Sequence, residues 1–91
     1  MLRITVHNDS GATFMKLEGK LASVWVEELR KCARGVLGTD TTTVVVDLSD
    51  VTFVDVAGKQ LLDHLASDGV RLISADPAMD ALVAEISKQF A

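Results

Sequence analysis

Five consecutive residues, Val44-Val45-Val46-Asp47-Leu48, constrain this chain more than any others, because only Asp47 among them carries a side chain suited to water. A strand without polar alternation is expected to be covered on both faces. That is the usual condition of a central strand in a parallel or mixed sheet with helices packed on it. A short polar turn is expected next, and then a helix that opens on Asp55. An aspartate just before an apolar-periodic run is a good N-cap, since its carboxylate can accept the unpaired N–H groups two or three residues on. Here those donors are Ala57 and Gly58. Leu61, Leu62 and Leu65, with Ala57 and Ala66, supply the buried stripe. Ser67-Asp68-Gly69 closes the helix, with Gly69 free to take the left-handed conformation.

The other segments read as layers around this unit. Leu2, Ile4 and Val6 alternate with Arg3 and Thr5, the period of a half-buried strand. His7-Asn8-Asp9-Ser10-Gly11 is a cluster of turn formers, so a hairpin is expected, with residues 12–18 returning and Thr13, Met15 and Leu17 on one face. Gly19-Lys20-Leu21-Ala22 leads into a helix with Ser23 as its cap. Trp25, Leu29, Cys32 and Val36 give that helix its apolar stripe, widened by Val26, Ala33 and Leu37. Glu27, Glu28, Arg30, Lys31 and Arg34 form a solvated face. Gly38-Thr39-Asp40 ends it. Residues 70–75 read as a short strand. Asp76-Pro77 then starts a last helix, with Asp76 as cap and Pro77 in the first turn. Its stripe is Met79, Leu82, Val83, Ile86 and Phe90, with Asp80, Glu85 and Lys88 outward. The expected fold class is therefore α/β: a small mixed β-sheet of about four strands with three helices, in the order β-β-α-β-α-β-α, and helices on at least one face.

Bulk properties narrow the function. A chain of 91 residues is expected to be one domain, spanning residues 1–91, with one core and no cleft between lobes. A net charge of −4 argues against nucleic acid and against an electrostatic hold on anionic lipid. The single cysteine, Cys32, rules out a disulfide framework and a cysteine-rich metal site, and reads as a small buried apolar group. No apolar run approaches the roughly 18 residues of a membrane span, so direct membrane insertion is not expected. The first residues read as a strand and lack the longer apolar stretch of a signal peptide, which makes a cytoplasmic location the expectation.

No catalytic constellation assembles from the sequence, and neither an enzymatic activity nor a cofactor is expected. Asp47, Asp50 and Asp55 follow one strand, where ligands bind in open α/β sheets. A phospho-acceptor pocket would add an acidic pair after the first strand and a lysine after a later one. Residues 3–10 supply only Asp9, and residues 70–75 contain no lysine. Turn and cap roles suit these aspartates better. His7 and His64 have no partner ligand at metal-site spacing. Ser23, Ser49 and Ser74 lack the glycine elbow of a nucleophilic serine. Gly35, Gly38 and Gly58 are scattered and form no phosphate loop.

The run from Val44 to Asp55, Val-Val-Val-Asp-Leu-Ser-Asp-Val-Thr-Phe-Val-Asp, followed by Gly58, resembles the STAS domain family, which includes the anti-sigma-factor antagonists. That family shows a strand ending in Asp-Leu-Ser, an apolar link, Asp-Ser-Ser or Asp-Ser-Thr, then Gly and a helix. Leu17-Glu18-Gly19-Lys20-Leu21 is similar to its Leu-x-Gly-x-Leu turn. The resemblance implies function by contact. In the antagonists, a hydroxyl residue directly after the cap aspartate is phosphorylated by a kinase that doubles as an anti-sigma factor. Phosphate there adds nearly two negative charges at a helix N-terminus.

This chain departs from the pattern at that position. Val56 occupies the phospho-acceptor position and Ala57 follows, so neither offers an oxygen; Lys59 replaces an apolar residue. The resemblance thus implies a partner-binding surface formed by Asp55, Val56, Ala57, Gly58 and Lys59, with Val56 a non-functional acceptor. The implied partner is a protein, either an anti-sigma factor or kinase-like ATPase, or the cytoplasmic ATPase of a lipid-asymmetry transporter on which stand-alone STAS proteins also sit. A nucleotide-sensing role and phosphorylation at Ser49 or Thr52 are further possibilities that the resemblance leaves open. The sequence does not fix an oligomeric state.

Overall fold

A computed structural model of the chain describes residues 1–37 and 43–90, with the side chains of residues 78 and 87–90 excepted. The elements are β1 (Leu2–Asp9), β2 (Ala12–Leu21), α1 (Val24–Leu37), β3 (Thr43–Val54), α2 (Val56–Ser67), β4 (Arg71–Ile73) and α3 (Pro77–Phe90). The order is the expected one. The end of α1 expected at Gly38-Thr39-Asp40, and the side chains of Lys88 and Phe90, lie outside what is described. The strands form one four-stranded sheet in the order β1-β2-β3-β4. β1 and β2 are antiparallel, while β2–β3 and β3–β4 are parallel. The apolar strand thus lies inside the sheet.

β1 runs further than its alternation indicates. Asp9 pairs with Ala12, so the turn contains only Ser10 and Gly11. Both take positive φ, 50° and 84°, as a tight hairpin turn with the natural strand twist requires. β2 also overruns, through the segment read as a turn. Gly19 pairs with both Leu2 and Val51, and its φ of +107° and the nearness of the Met1 carbonyl oxygen, 2.3 Å from where a Cβ would lie, leave room for no side chain.

The polar turn expected after Leu48 is not there. β3 continues to Val54 by carrying two extra residues against β2, with register shifts between Lys16 and Glu18 and between Gly19 and Lys20. The Asp47 carboxylate makes the first shift possible. It accepts the Ser49 amide at 2.9 Å and the Ser49 hydroxyl at 2.6 Å, taking local polar groups that would otherwise end the strand. At the second shift the Thr52 hydroxyl donates to the Gly19 carbonyl at 3.2 Å. β4 is shorter than residues 70–75. Beyond Ile73 the chain turns away, the Ala75 amide donating to the Ser49 hydroxyl and the Asp76 amide to the Ser74 hydroxyl.

All three helices pack on one face of the sheet. Their buried residues share a single cluster with Leu2, Met15, Leu17, Leu21, Val44, Val46, Leu48, Val51 and Leu72. Residues on both faces of this strand are nonetheless buried, although the helices lie on one face only. Val45 points to the opposite face, and its own sheet neighbours Phe14 and Arg71 help bury it. The buried line of α1 is Val26, Leu29 and Ala33, with Trp25, Cys32 and Val36 half-buried beside it, one residue round from the expected stripe. In α2, Gly58, Leu61, Leu62 and Leu65 are buried, whereas Ala57 is exposed. Met79, Val83 and Ile86 bury α3.

Candidate protein-docking site

Asp55 joins two helix starts. One carboxylate oxygen accepts the Gly58 amide at 2.7 Å and caps α2. The other accepts the Ser23 amide at 3.0 Å, reaching across to the residue before α1. The Asp55 amide donates to the Leu21 carbonyl at 3.2 Å, so the end of β2 holds the same residue from behind. Two of the sequence expectations change in this arrangement. Ala57 does not donate to the cap, and Ser23 serves through its amide, from a left-handed backbone with φ of 54°. A non-glycine residue is held there at a cost that the Asp55 bond helps to offset.

Gly58 lets these parts meet. A Cβ at this position would lie 2.5 Å from the Leu21 carbonyl oxygen and 3.0 Å from Val54 Cγ1. Its place in the site is therefore inside, as the point where α2 touches the end of β2, and not on the outer surface. Lys59 is half-buried and its ammonium lies 3.5 Å from Asp63, one turn along α2. Val56 stands out from the tip, 75% exposed, and Ala57 beside it is also exposed.

Two residues missing from the sequence reading complete the surface. Val24, next to Ser23, is 70% exposed, and Phe53, two residues before Asp55, is 51% exposed. Val24 adjoins Ser23 and Val56 lies two residues before Gly58, the two residues whose amides bond the Asp55 carboxylate, and Phe53 lies two residues before Asp55 itself. Three exposed apolar side chains thus lie close in sequence to the elements that the Asp55 carboxylate ties together. Phe53 was hidden in the sequence because the two bulges of β3 destroy its alternation.

The bonds to Asp55 have a consequence for pH. The Ser23 amide first, and the Gly58 amide second, hold its carboxyl below the ordinary value of 3.8. A lowered folded value means that the ionised group's stabilisation is complete above the unfolded value and is lost as pH falls through the folded one. Asp55→Asn does not titrate. In circular-dichroism melts the wild type is expected to be the more stable at neutral pH, with the gap closing below about pH 4. A gap that stays constant with pH would show that the charge on Asp55 contributes nothing.

The remaining candidates are accounted for structurally. The Ser49 hydroxyl donates to Asp47 and accepts from the Ala75 amide, and Asp50 pairs with Lys16 at 3.2 Å. His7 stacks on Phe14 with ring centres 5.1 Å apart, and His64 lies 3.6 Å from Asp68. Burial pushes the half-buried Cys32 thiol up. Among the described residues no three His, Cys, Asp or Glu side chains gather as a metal site, and no helix is long and apolar enough to cross a membrane.

The family described as "Mlab, STAS domain" matches residues 4–87. The chain belongs to the STAS domain family. No curated protein sequence matches it significantly. Solved structures give the fold a second time. This STAS domain superposes on an anti-sigma factor antagonist from Mycobacterium paratuberculosis with a TM-score of 0.84 and 18% identity, over 99% of this chain and 83% of that one. The anti-sigma factor antagonist SpoIIAA in its unphosphorylated form gives 0.61 and 20%, over 88% and 80%. A DUF3478-family protein with a SpoIIAA-like fold, from Shewanella loihica PV-4, gives 0.65 and 12%, over 99% and 79%. At these identities the likeness is one of fold.

Proposed function

We propose that this STAS domain is a non-enzymatic docking module, binding a protein partner through the Asp55 tip and held permanently in the state that phosphorylation would abolish. Val56 carries the reading. It occupies the family's acceptor position, stands 75% exposed, and presents two methyl groups where a hydroxyl would sit. Val24 and Phe53 extend the same apolar surface, so the tip suits a partner's apolar contact at all times. Asp55 and Lys59 supply its polar edge. By the fold it shares with the antagonists, the first partner class is an anti-sigma factor or other kinase-like ATPase in the cytoplasm, and the output is control of transcription.

A second reading, which the family resemblance leaves open, takes the cytoplasmic ATPase of a membrane transporter as the partner. One experiment separates the two. Affinity capture from the native extract, with the retained protein identified by mass spectrometry, is run with the wild type and with Phe53→Asp. A kinase-like ATPase, or a transporter ATPase, held by the wild type and lost by the variant is the expected result. Equal retention by both would place the contact elsewhere. Incubation with that ATPase and ATP should leave the intact mass of the chain unchanged.

A further inference from the structure

The two edges of the sheet differ sharply. β4 exposes only Arg71–Ile73, too short to template a neighbour, whereas β1 is an eight-residue strand with regular pairing from Leu2 to Asp9. Natural sheets blunt an edge with proline, charged side chains, a bulge or brevity. β1 has no proline and no bulge and is not short, and its only charges, Arg3 and Asp9, stand near its two ends.

Its hydrogen-bonding pattern follows from the hairpin. A two-residue turn makes Asp9 and Ala12 a bonded pair, and bonding alternates along an antiparallel ladder. Arg3, Thr5, His7 and Asp9 therefore spend their backbone groups on β2. Leu2, Ile4, Val6 and Asn8 point theirs outward, unused by the sheet. Val6 is 41% exposed on the helix-covered side, where the core runs out. Next to it, between β1 and α1, is a recess of about 310 Å³ lined by Val6, Asn8, Thr13, Cys32, Gly35 and Val36.

We propose that the chain self-associates through this edge, two copies of β1 running antiparallel about a two-fold axis so that the four-stranded sheet continues from one copy into the next. Charge selects the register. With Val6 opposite Val6 of the second copy, Ile4 meets Asn8, Thr5 meets His7, and Arg3 meets Asp9 at both ends. Among the described residues neither Arg3 nor Asp9 has an ion-pair partner in its own chain. A slip of one residue would turn each apolar face against the other's polar face. A slip of two breaks both charge pairs, setting Arg3 against His7 in one direction and against Gly11 in the other. The chosen register also brings Ile4 and Val6 of one copy against the recess beside Asn8 of the other, joining the two cores. The outward N–H and C=O groups then pair reciprocally, as a self-complementary interface requires.

The test is sedimentation of the full chain over a concentration series. The wild type should move from one chain to two as concentration rises. Arg3→Asp and Asp9→Arg each place like charges together at both ends of the interface and should weaken association about tenfold or more. The double variant R3D/D9R restores both pairs and should recover it. Val6→Pro removes an N–H that the domain itself does not use, so it should abolish association while the chain still melts cooperatively. A wild type that stays monomeric throughout, a double variant no better than the singles, or a folded Val6→Pro that still associates would each overturn the proposal.

Discussion

Val56→Asp is expected to weaken partner binding by about a hundredfold, with no loss of stability. Val56 is the first residue of α2 and makes little contact with the rest of the domain. Little packing is therefore lost when it is replaced. Its position in the first helical turn favours a negative charge, because the N-terminal amides carry the positive end of the helix dipole. The melting temperature should stay level or rise slightly. A partner's apolar contact, by contrast, would face a charge that cannot be desolvated cheaply. Substitution of Val56 by alanine, which removes methyl groups without adding charge, should cost far less affinity. Titration of the purified partner against both variants reads the difference. Unchanged affinity in Val56→Asp would remove the tip from the interface.

Gly58→Ala is expected to destabilise the domain by about 2 kcal/mol and to lower the melting temperature by roughly 10 °C. The new methyl would press on a backbone oxygen, the Leu21 carbonyl, which cannot rotate away. Overpacking of this kind costs up to about 3 kcal/mol, while alanine's better helix propensity returns about 1. Because Asp55 is bonded to both Leu21 and Gly58, the shift would also disturb the proposed docking tip. Gly35→Ala is the matched control. Beyond its own stretch of α1, no heavy atom lies within 4 Å of a Cβ at that site, so the same substitution should stabilise the chain by up to about 1 kcal/mol. If both glycines responded alike to alanine, the steric account of Gly58 would be wrong.

Much of the site and fold could be read in advance where the signal is local. The cap at Asp55 depends on a carboxylate three residues before an amide, and the strand–helix order depends on periodicities within a dozen residues. The stop at Gly69 is local too, and its φ is +90°. The misread parts all depend on partners far along the chain. Residues 49–54 look like a turn because Ser49, Asp50 and Thr52 are polar. They remain a strand because β2 runs beside them and the two bulges absorb the extra length. The second bond of Asp55 goes to Ser23, 32 residues away.

The order of strands and helices, the burial of Val44, Val45, Val46 and Leu48, the helix start at Asp55 and the absence of a hydroxyl at Val56 were all present in the linear chain. They rest on dihedral preference, hydrophobic period and side-chain chemistry, which act between near neighbours. Tertiary structure alone decided that the helices share one face, that Asp55 ties two helix starts together, and that Val24 and Phe53 join Val56 in the open. It also left β1 as the long free edge. These depend on which distant segments the sheet brings side by side, and a pattern of neighbours contains no measure of that distance.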